Sequence, residues 1–313
     1  MIGYILRRLL AGVVLALLVT LITFLLLSTS FEDVAKTILG QSATPDTIAA
    51  LLHDKGWDRP VIVQYIDWLG HGLTGDFGNS VYDSQEVAPA VAHRLSVTLS
   101  IIIPALIISA VLSTVLGVWA ASRGGVVDRI AQIISLIGYI VPNLLLAIGL
   151  VWLLAVQLKW LPATGYTPLS ENPLGWAKSI VIPVIALVIG SVASMSAQIR
   201  GRMIDELSKD YIRTLRTRGV STMSLVIKHA LRNAGGPALT VLGLEFIQML
   251  GGALIIENVF ALPGYGSYAF NASLQGDIPL ILGITVFGVL LVTVVNLATD
   301  LVNGWLNPKA RLM

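Results

Sequence analysis

The segment Asp205–Asn233, DELSKDYIRTLRTRGVSTMSLVIKHALRN, is the polar centre of an otherwise apolar chain. Ile204 just before the segment is followed by Leu207, Tyr211 and Leu215 within it, at intervals of three and four residues. This spacing predicts an amphipathic helix. Gly219 suits the left-handed residue that closes a helix, and Ser221 suits the cap of the next one. A second apolar stripe follows, made of Met223, Ile227, Ala230 and Leu231. The segment is therefore predicted to be two short helices joined at a glycine.

The composition indicates the class of protein. Of the 313 residues, 55% are hydrophobic and 12% are charged, with a mean hydropathy of +0.82. A soluble domain has about 25% charged residues, so we predict a polytopic membrane protein of the all-α class. The chain has no cysteine, which excludes disulfides, thiolate catalysis and cysteine-ligated zinc. The apolar run Leu9–Leu27 exceeds the core of a signal peptide, about 7–15 residues, and is predicted to be a retained first span.

Six apolar stretches of about 20 residues are predicted to cross the membrane: roughly 9–30, 95–121, 130–156, 180–199, 239–260 and 280–304. An even number of spans puts both termini on the same side. If the termini are cytoplasmic, 14 of the 20 Lys and Arg residues lie inside, eight of them between Arg200 and Arg232. The positive-inside rule favours this orientation. The quoted segment then lies in a cytoplasmic loop.

The connection between the first two spans, residues 31–94, is too long to be a simple turn. It is rich in aromatic residues: Trp57, Tyr65, Trp68, Phe77 and Tyr82. We expect a small folded cap outside the membrane. The chain then has three parts, namely an N-terminal segment with the first span (1–30), the external cap (31–94), and a five-span core (95–313) that includes the cytoplasmic loop 200–238.

Several residues inside or beside the spans are unusual for a membrane helix. Three spans contain a proline, namely Pro104, Pro142 and Pro183. Each proline either kinks its helix for packing or helps to shape a water-filled central path. Gly235-Gly236-Pro237 is predicted to end the loop helix before the fifth span. Glu245 lies within that span, so it should face a cavity or a partner rather than lipid. Glu257 lies at its outer end, where we expect an interfacial position.

The loop sequences DYIRTLRTRG and KHALRNA resemble the cytoplasmic loop of ABC-importer permeases, specifically the oligopeptide, dipeptide and nickel branch. In that family the loop is a coupling helix that docks in a groove of the ATP-hydrolysing subunit. The branch usually has Arg-Thr-Ala where this chain has Arg213-Thr214-Leu215, so Leu215 is a departure. The resemblance implies these ATPase-coupling residues: Asp210, Tyr211, Ile212, Arg213, Thr214, Arg216, Arg218 and Gly219.

Three other blocks resemble the same family, in the same order along the chain. They are Asp58-Arg59-Pro60 with Tyr65 and Gly75-Asp76-Phe77-Gly78; the turn ENVFALPGYG with Asp277-x-Pro279; and the terminal Asn296, Asp300 and Asn307-Pro308-Lys309. The resemblance implies a type I importer permease of six transmembrane helices with the external cap after the first. It also suggests an outer mouth that meets a substrate-binding protein, formed by Asp76, Phe77, Pro263, Gly264 and Asp277.

The family usually has glutamine near Glu245. This departure could favour a cationic group on the substrate, be protonated, or pair with a basic residue of another subunit. We take Asn143, Glu245 and Gln248 as candidates for lining the translocation path.

The sequence has no G-x-x-x-x-G-K-[ST] motif, so the chain cannot hold ATP by a P-loop. The four histidines have no metal-binding spacing, and no catalytic or metal site is predicted. The resemblance therefore implies a non-catalytic permease of a bacterial inner membrane, with no cofactor of its own. ATP and Mg²⁺ would be bound by two partner ATPase subunits, or by one two-domain ATPase.

The other expected partners are a second permease, an extracytoplasmic substrate-binding protein and membrane lipid, with no nucleic acid. The implied cargo is di- or oligopeptides, or alternatively nickel complexes or another small polar solute. A different class of function is an independent secondary transporter or an intramembrane enzyme. Such a protein would work alone, whereas an importer permease would not.

Overall fold

The computed structural model describes residues 2–306, which form helices joined by turns and loops. The helices are α1 (Ile2–Ser28), α2 (Phe31–Leu39), α3 (Pro45–Asp54), α4 (Val61–Leu73), α5 (Val87–Arg123), α6 (Gly125–Ile140), α7 (Asn143–Leu150), α8 (Pro173–Leu207), α9 (Asp210–Thr217), α10 (Thr222–Ser224), α11 (Arg232–Val259), α12 (Tyr265–Gln275) and α13 (Ile278–Leu306). A π-helical segment, Val151–Gln157, extends α7, and another, Leu225–Leu231, joins α10 to α11. The predicted terminal motif Asn307-Pro308-Lys309 lies outside the described residues.

Five of the described helices are long and apolar enough to cross a membrane, namely α1, α5, α8, α11 and α13. They correspond to the predicted spans one, two, four, five and six. The predicted third span, 130–156, is a pair of helices that meet at 93°. Pro142 disfavours helical backbone in the residue before it, and Val141 is accordingly extended. The all-α, multi-span fold class is confirmed, with a sixth span if the bent pair counts as one.

The prolines of the second and fourth spans do not end their helices. Pro104 lies inside α5 and Pro183 inside α8, and both helices continue past them. The prediction that Gly235-Gly236-Pro237 would end the loop helix was wrong, because α11 runs through these residues. A proline inside a helix removes one backbone hydrogen bond. Buried packing on both sides, at Ala234 and Phe246 among others, offsets that local cost.

The predicted helix through Ile204, Leu207, Tyr211 and Leu215 is divided. Helix α8 ends at Leu207, and α9 begins at Asp210 after the extended residue Lys209. The Ser208 hydroxyl donates a 2.7 Å hydrogen bond to the Asp205 carbonyl, a local bond of the kind that competes with helix continuation. The glycine prediction is confirmed, since Gly219 has φ +78° and follows α9. Ser221 precedes α10 at the cap position, but its side chain makes no capping hydrogen bond.

The chain divides into two compact units. The first comprises Met1–Ser96 and Ser267–Val294. Its core joins α1, α2, α4 and α13 through a cluster of buried side chains: Phe24, Phe31, Val34, Tyr65, Ile278 and Leu282. Trp57 stacks on Phe31 with ring centroids 5.0 Å apart. The predicted cap segment is therefore folded around its aromatic residues, while its position outside the membrane stays a prediction.

Among the described residues, the second unit comprises 97–266 and 295–306. Helix α8 is the centre of this unit and packs against α6, α7 and α11. In its most apolar stretch of 18 residues, 61% of the residues are buried. Close approach of α11 to α13 is possible because Gly243 faces Thr299; a methyl group at Gly243 would lie 2.8 Å from the Thr299 hydroxyl oxygen. This unit contains the polar loop 200–238. The predicted division of the chain at residues 30 and 94 stays a prediction.

Candidate functional site

The first attachment of helix α9 to the rest of the second unit is a buried side chain. Ile212 is 1% exposed and packs with Ile199 and Met203 of α8 and with Val226 and Ala230 of the segment before α11. Burying an isoleucine side chain contributes about 1.5–3 kcal/mol. The break after Leu207 turns α9 so that Ile212 can enter this cluster, which explains why one continuous helix does not form.

A buried carboxylate forms the second attachment of α9. Glu206, 7% exposed at the end of α8, accepts hydrogen bonds from the Tyr211 hydroxyl at 2.7 Å and the Asn233 amide at 3.2 Å. The Asn233 amide also lies 3.0 Å from the Tyr211 hydroxyl oxygen. The Lys209 ammonium pairs with Glu206 at 2.5 Å. The network joins α8, α9 and α11 at a single carboxylate.

Tyr211 is the donor that connects α9 to this carboxylate. Burial, and then its hydrogen bond to the Glu206 carboxylate, raise the pKa of Tyr211 above its ordinary value. The phenol therefore stays protonated at neutral pH and can donate its proton to Glu206. Tyr211 was predicted as a coupling residue. In the structure its hydroxyl is directed inward, where it donates to Glu206.

Glu206 and Asn233 were missing from the predicted site. A signal for Glu206 was present in the sequence, because Ile199, Met203 and Glu206 follow helical spacing and all three are buried. A carboxylate on a buried stripe needs partners. The identity of those partners depends on the turn between α8 and α9, which the apolar pattern did not predict.

The opposite side of α9 is polar and exposed. Arg213 and Asp210 have side chains that are 82% and 98% exposed, and their ion pair is long, at 3.9 Å. An exposed pair of this kind contributes little to stability. The other predicted coupling residues on this side are also exposed: Thr214, Arg216, Arg218 and Gly219. The eight predicted residues thus divide into an inward pair, Tyr211 and Ile212, and an outward basic surface.

An ion pair also connects α6 to α8 near the loop. The Arg200 guanidinium donates to both carboxylate oxygens of Asp128, and the Gln132 amide donates to the same carboxylate at 3.0 Å. Both partners are largely buried, and two-point contact of this type fixes orientation as well as distance. In the sequence Arg200 indicates only topology, since its partner Asp128 lies 72 positions away.

The three candidate path residues have different environments. Asn143, at the start of α7, packs against Gly190 of α8 and Gly252 of α11. Glu245 is buried beside Ser191 of α8, whereas Gln248 is exposed on α11. A cavity of about 950 Å³ lies between α5, α6 and α8, and its described lining includes none of the three.

The turn after α11 encloses a carboxylate that we expected at the membrane interface. Glu257 is completely buried instead, and its carboxylate accepts a 2.5 Å hydrogen bond from Thr98. The Thr98 hydroxyl oxygen accepts one from the Tyr265 amide at 2.8 Å. Gly264 is buried against Glu257, and a methyl group there would overlap the carboxyl group. Of the two predicted mouth residues in this turn, Pro263 is half-buried and Gly264 is inaccessible.

The other predicted mouth residues belong to the first unit. Asp277 is 1% exposed and accepts hydrogen bonds from the Ser80 hydroxyl at 2.5 Å and the Leu280 amide at 3.3 Å. It therefore caps the start of α13. Phe77 is half-buried between Trp68 and Phe287. Asp76 is exposed, so within this group it is the residue whose side chain is open to a partner.

Among residues 2–306, no group of three or more histidine, aspartate or glutamate side chains is arranged to hold a metal ion. Comparison with known proteins then gives a consistent result over the whole length. A family model described as the binding-protein-dependent transport system inner membrane component matches residues 113–312, and the model of the N-terminal part of such membrane components matches residues 1–102.

Individual relatives match from end to end. The "Probable peptide ABC transporter permease protein y4tP" of Sinorhizobium fredii is 35% identical, covering 98% of this chain and 99% of its own length. The dipeptide transport system permease protein DppB of Bacillus subtilis is 34% identical, with 99% and 98% coverage. Among solved structures, an inward-facing MetNI methionine ABC transporter has a chain with a TM-score of 0.55. It is 15% identical, and the match covers 69% of this chain and 96% of that one. This last likeness concerns the fold.

Proposed function

This chain belongs to the binding-protein-dependent transport system inner membrane components, and from that premise we propose that it is a permease subunit of an ATP-driven importer of peptides. The observation that carries the proposal is the end-to-end similarity to relatives named as peptide and dipeptide permeases. The multi-span helical fold and its likeness to an ABC-transporter chain are consistent with it. The cargo would be di- or oligopeptides.

The polar loop would couple the ATPase subunits to the membrane spans. Helix α9 has a basic outer surface, at Arg213 and Arg216, and an inner side fixed by Ile212 and the Glu206 network. A partner that moves α9 would therefore also move the ends of α8 and α11. Rigid-body transmission of this kind fits an importer in which ATP binding, on separate subunits with Mg²⁺, changes the access of the spans.

The remaining partners follow from the same proposal. A second permease would complete the path, two ATP-binding subunits or one two-domain ATPase would dock on α9, and a substrate-binding protein would deliver the cargo on the opposite side. The charge distribution supports cytoplasmic termini and a cytoplasmic polar loop. Asp76 is the exposed residue of the proposed outer mouth.

Affinity purification of the tagged chain from its native membrane, followed by reconstitution, tests this function. We expect a second permease and P-loop ATPases to co-purify, and the proteoliposomes to import peptide only with ATP and binding protein. Arg213→Glu and Arg216→Glu should reduce recovery of the ATPase, because they reverse the charge of the exposed surface that is proposed to dock on it. Arg123→Glu reverses an exposed charge at the end of α5 and is the matched control. Transport by the chain alone without ATP would overturn the proposal.

A further inference from the structure

Helix α4 (Val61–Leu73) exposes an apolar face although it lies in a folded unit. Ile62, Ile66 and Leu73 are 54%, 60% and 82% exposed. Spacings of four and seven residues place the three side chains on one face of the helix. Asp67 and His71 lie on a different side and are also exposed. The helix therefore has three surfaces, of which one is packed, one is polar and one is apolar and uncovered in this chain.

The packed surface fixes the depth of α4 relative to the first span. The Tyr65 hydroxyl donates to the Leu17 carbonyl of α1 at 3.1 Å and lies 3.0 Å from the Thr20 hydroxyl. Leu17 is 11 residues before Ser28, where α1 ends, which is about 16 Å along the axis. Nearer that end, Phe24 of α1 contacts the Tyr65 ring with centroids 5.7 Å apart.

This depth lies inside the hydrocarbon of a bilayer. The apolar part of α1 has 24 residues, about 36 Å, against a hydrocarbon thickness of about 30 Å. If all of the excess projected beyond the end at Ser28, the Tyr65 hydroxyl would still lie about 10 Å below the hydrocarbon boundary. With 13 residues, or about 20 Å, α4 is too short to be a span itself.

The chemistry of the exposed face and its depth beside the first span indicate what covers it. Ile62, Ile66 and Leu73 present neither a charge nor a hydrogen-bonding group, which suits acyl chains. The side of α1 turned away from α4 is also apolar and exposed, with Ile22 at 56% and Leu26 at 67%, as expected for a helix that crosses the hydrocarbon. We propose that α4 is embedded in the membrane beside the first span, with Ile62, Ile66 and Leu73 in contact with phospholipid acyl chains.

On the proposed topology this is the outer leaflet, and the segment predicted as an external cap is partly sunk into it. Asp67, which pairs with Arg59 at 2.7 Å, would face the headgroups and water. An amphipathic helix that lies at the boundary in this manner is stabilised by its buried apolar area. The inference uses the membrane setting of the chain and does not depend on the cargo or on the ATPase.

The absence of cysteine makes a direct test possible in the intact complex. Single variants Ile62→Cys, Ile66→Cys and Asp67→Cys would carry a nitroxide spin label in bilayers, with Ile22→Cys on α1 as the lipid-facing reference. Collision rates with oxygen, which concentrates in acyl chains, and with a water-soluble nickel chelate would be measured at each position. We expect the oxygen-to-nickel ratio at Ile62 and Ile66 to match that at Ile22 and to exceed that at Asp67 several-fold.

Two results would overturn the inference. A nickel-dominated signal at Ile62 and Ile66, equal to that at Asp67, would show a face in water. Exclusion of both reagents at Ile62 and Ile66 would show a face covered by protein, such as the second permease. Two adjacent positions on the same face protect the test against failure of one variant, and retained ATPase activity of each labelled complex confirms that it is folded. Failure of the importer proposal would show instead as missing ATPase subunits or missing transport.

Discussion

Replacing Glu206 with alanine should release α9 from the rest of the loop. The substitution removes the acceptor for the Tyr211 hydroxyl and the Asn233 amide. A hydrogen bond to a charged group contributes about 1.5–3 kcal/mol, and we take the lower value because Tyr211 is only partly buried and Asn233 is exposed. Two such bonds give about 3 kcal/mol. The pair with the more exposed Lys209 adds little.

A loss of about 3 kcal/mol corresponds to roughly a hundredfold rise in the undocked population of α9. Native-state hydrogen exchange measures this population, since amides that exchange by local opening report its free energy. The Arg218 amide, which donates to the Thr214 carbonyl at 3.2 Å, is a suitable reporter. In Glu206→Ala we expect exchange across residues 210–218 to accelerate about a hundredfold, with no change in the middle of α8.

Two further variants make the test specific. Glu206→Gln retains an acceptor oxygen without the charge, so it should accelerate exchange by only about tenfold, a loss near 1.4 kcal/mol. Asp205→Ala removes an exposed carboxylate one position earlier and should change nothing. Equal exchange in Glu206→Ala and Asp205→Ala would refute the reasoning, because the network would then contribute nothing to the docking of α9.

Three other substitutions, the first paired with a control, give different expected outcomes. Gly219→Ala should lower stability by about 1–2 kcal/mol, because the φ of +78° is left-handed. In contrast, Gly201→Ala, in open space within α8, should be neutral or slightly stabilising; equal thermal midpoints for the two variants would contradict this. Gly264→Ala should abolish stable expression, since its methyl group would overlap the Glu257 carboxyl group; a normal yield and midpoint would show that the turn is adaptable. Glu245→Gln should selectively weaken import of free-amine peptides, and an unchanged ratio of free to blocked peptide uptake would dismiss a role for the carboxylate in recognition.

The sequence predicted the features that depend on local pattern and on hydropathy. Five spans were visible as apolar runs, and Gly219 was identifiable because a helix end needs a residue that tolerates positive φ. Prolines were less informative. Pro142 accompanies a bend of 93°, whereas Pro104 lies within a continuous helix. The difference depends on whether packing of neighbouring helices offsets the loss of the backbone hydrogen bond that the proline removes. A single sequence does not contain that information.

The candidate site was predicted in outline and revised in detail. The basic residues of α9 are exposed as a docking surface requires, but the resemblance did not separate them from Ile212, which is buried. Glu257 was expected at the membrane interface, and the resemblance suggested Asp277 for the outer mouth. Both are buried, since distant hydroxyl groups, Thr98 for the first and Ser80 for the second, satisfy their oxygens. Partners so distant in sequence are not predictable from spacing.

The most direct test of the central claim is site-specific cross-linking from α9. Because the chain has no cysteine, Arg213→Cys and Arg216→Cys can each carry a photoactivatable group in native membranes, with Ile212→Cys as the inward control. We predict cross-links from the two outward positions to a protein that mass spectrometry identifies as a P-loop ATPase, and none from Ile212. Cross-links from all three positions alike, or from the outward positions only to lipid or to another class of protein, would contradict the account.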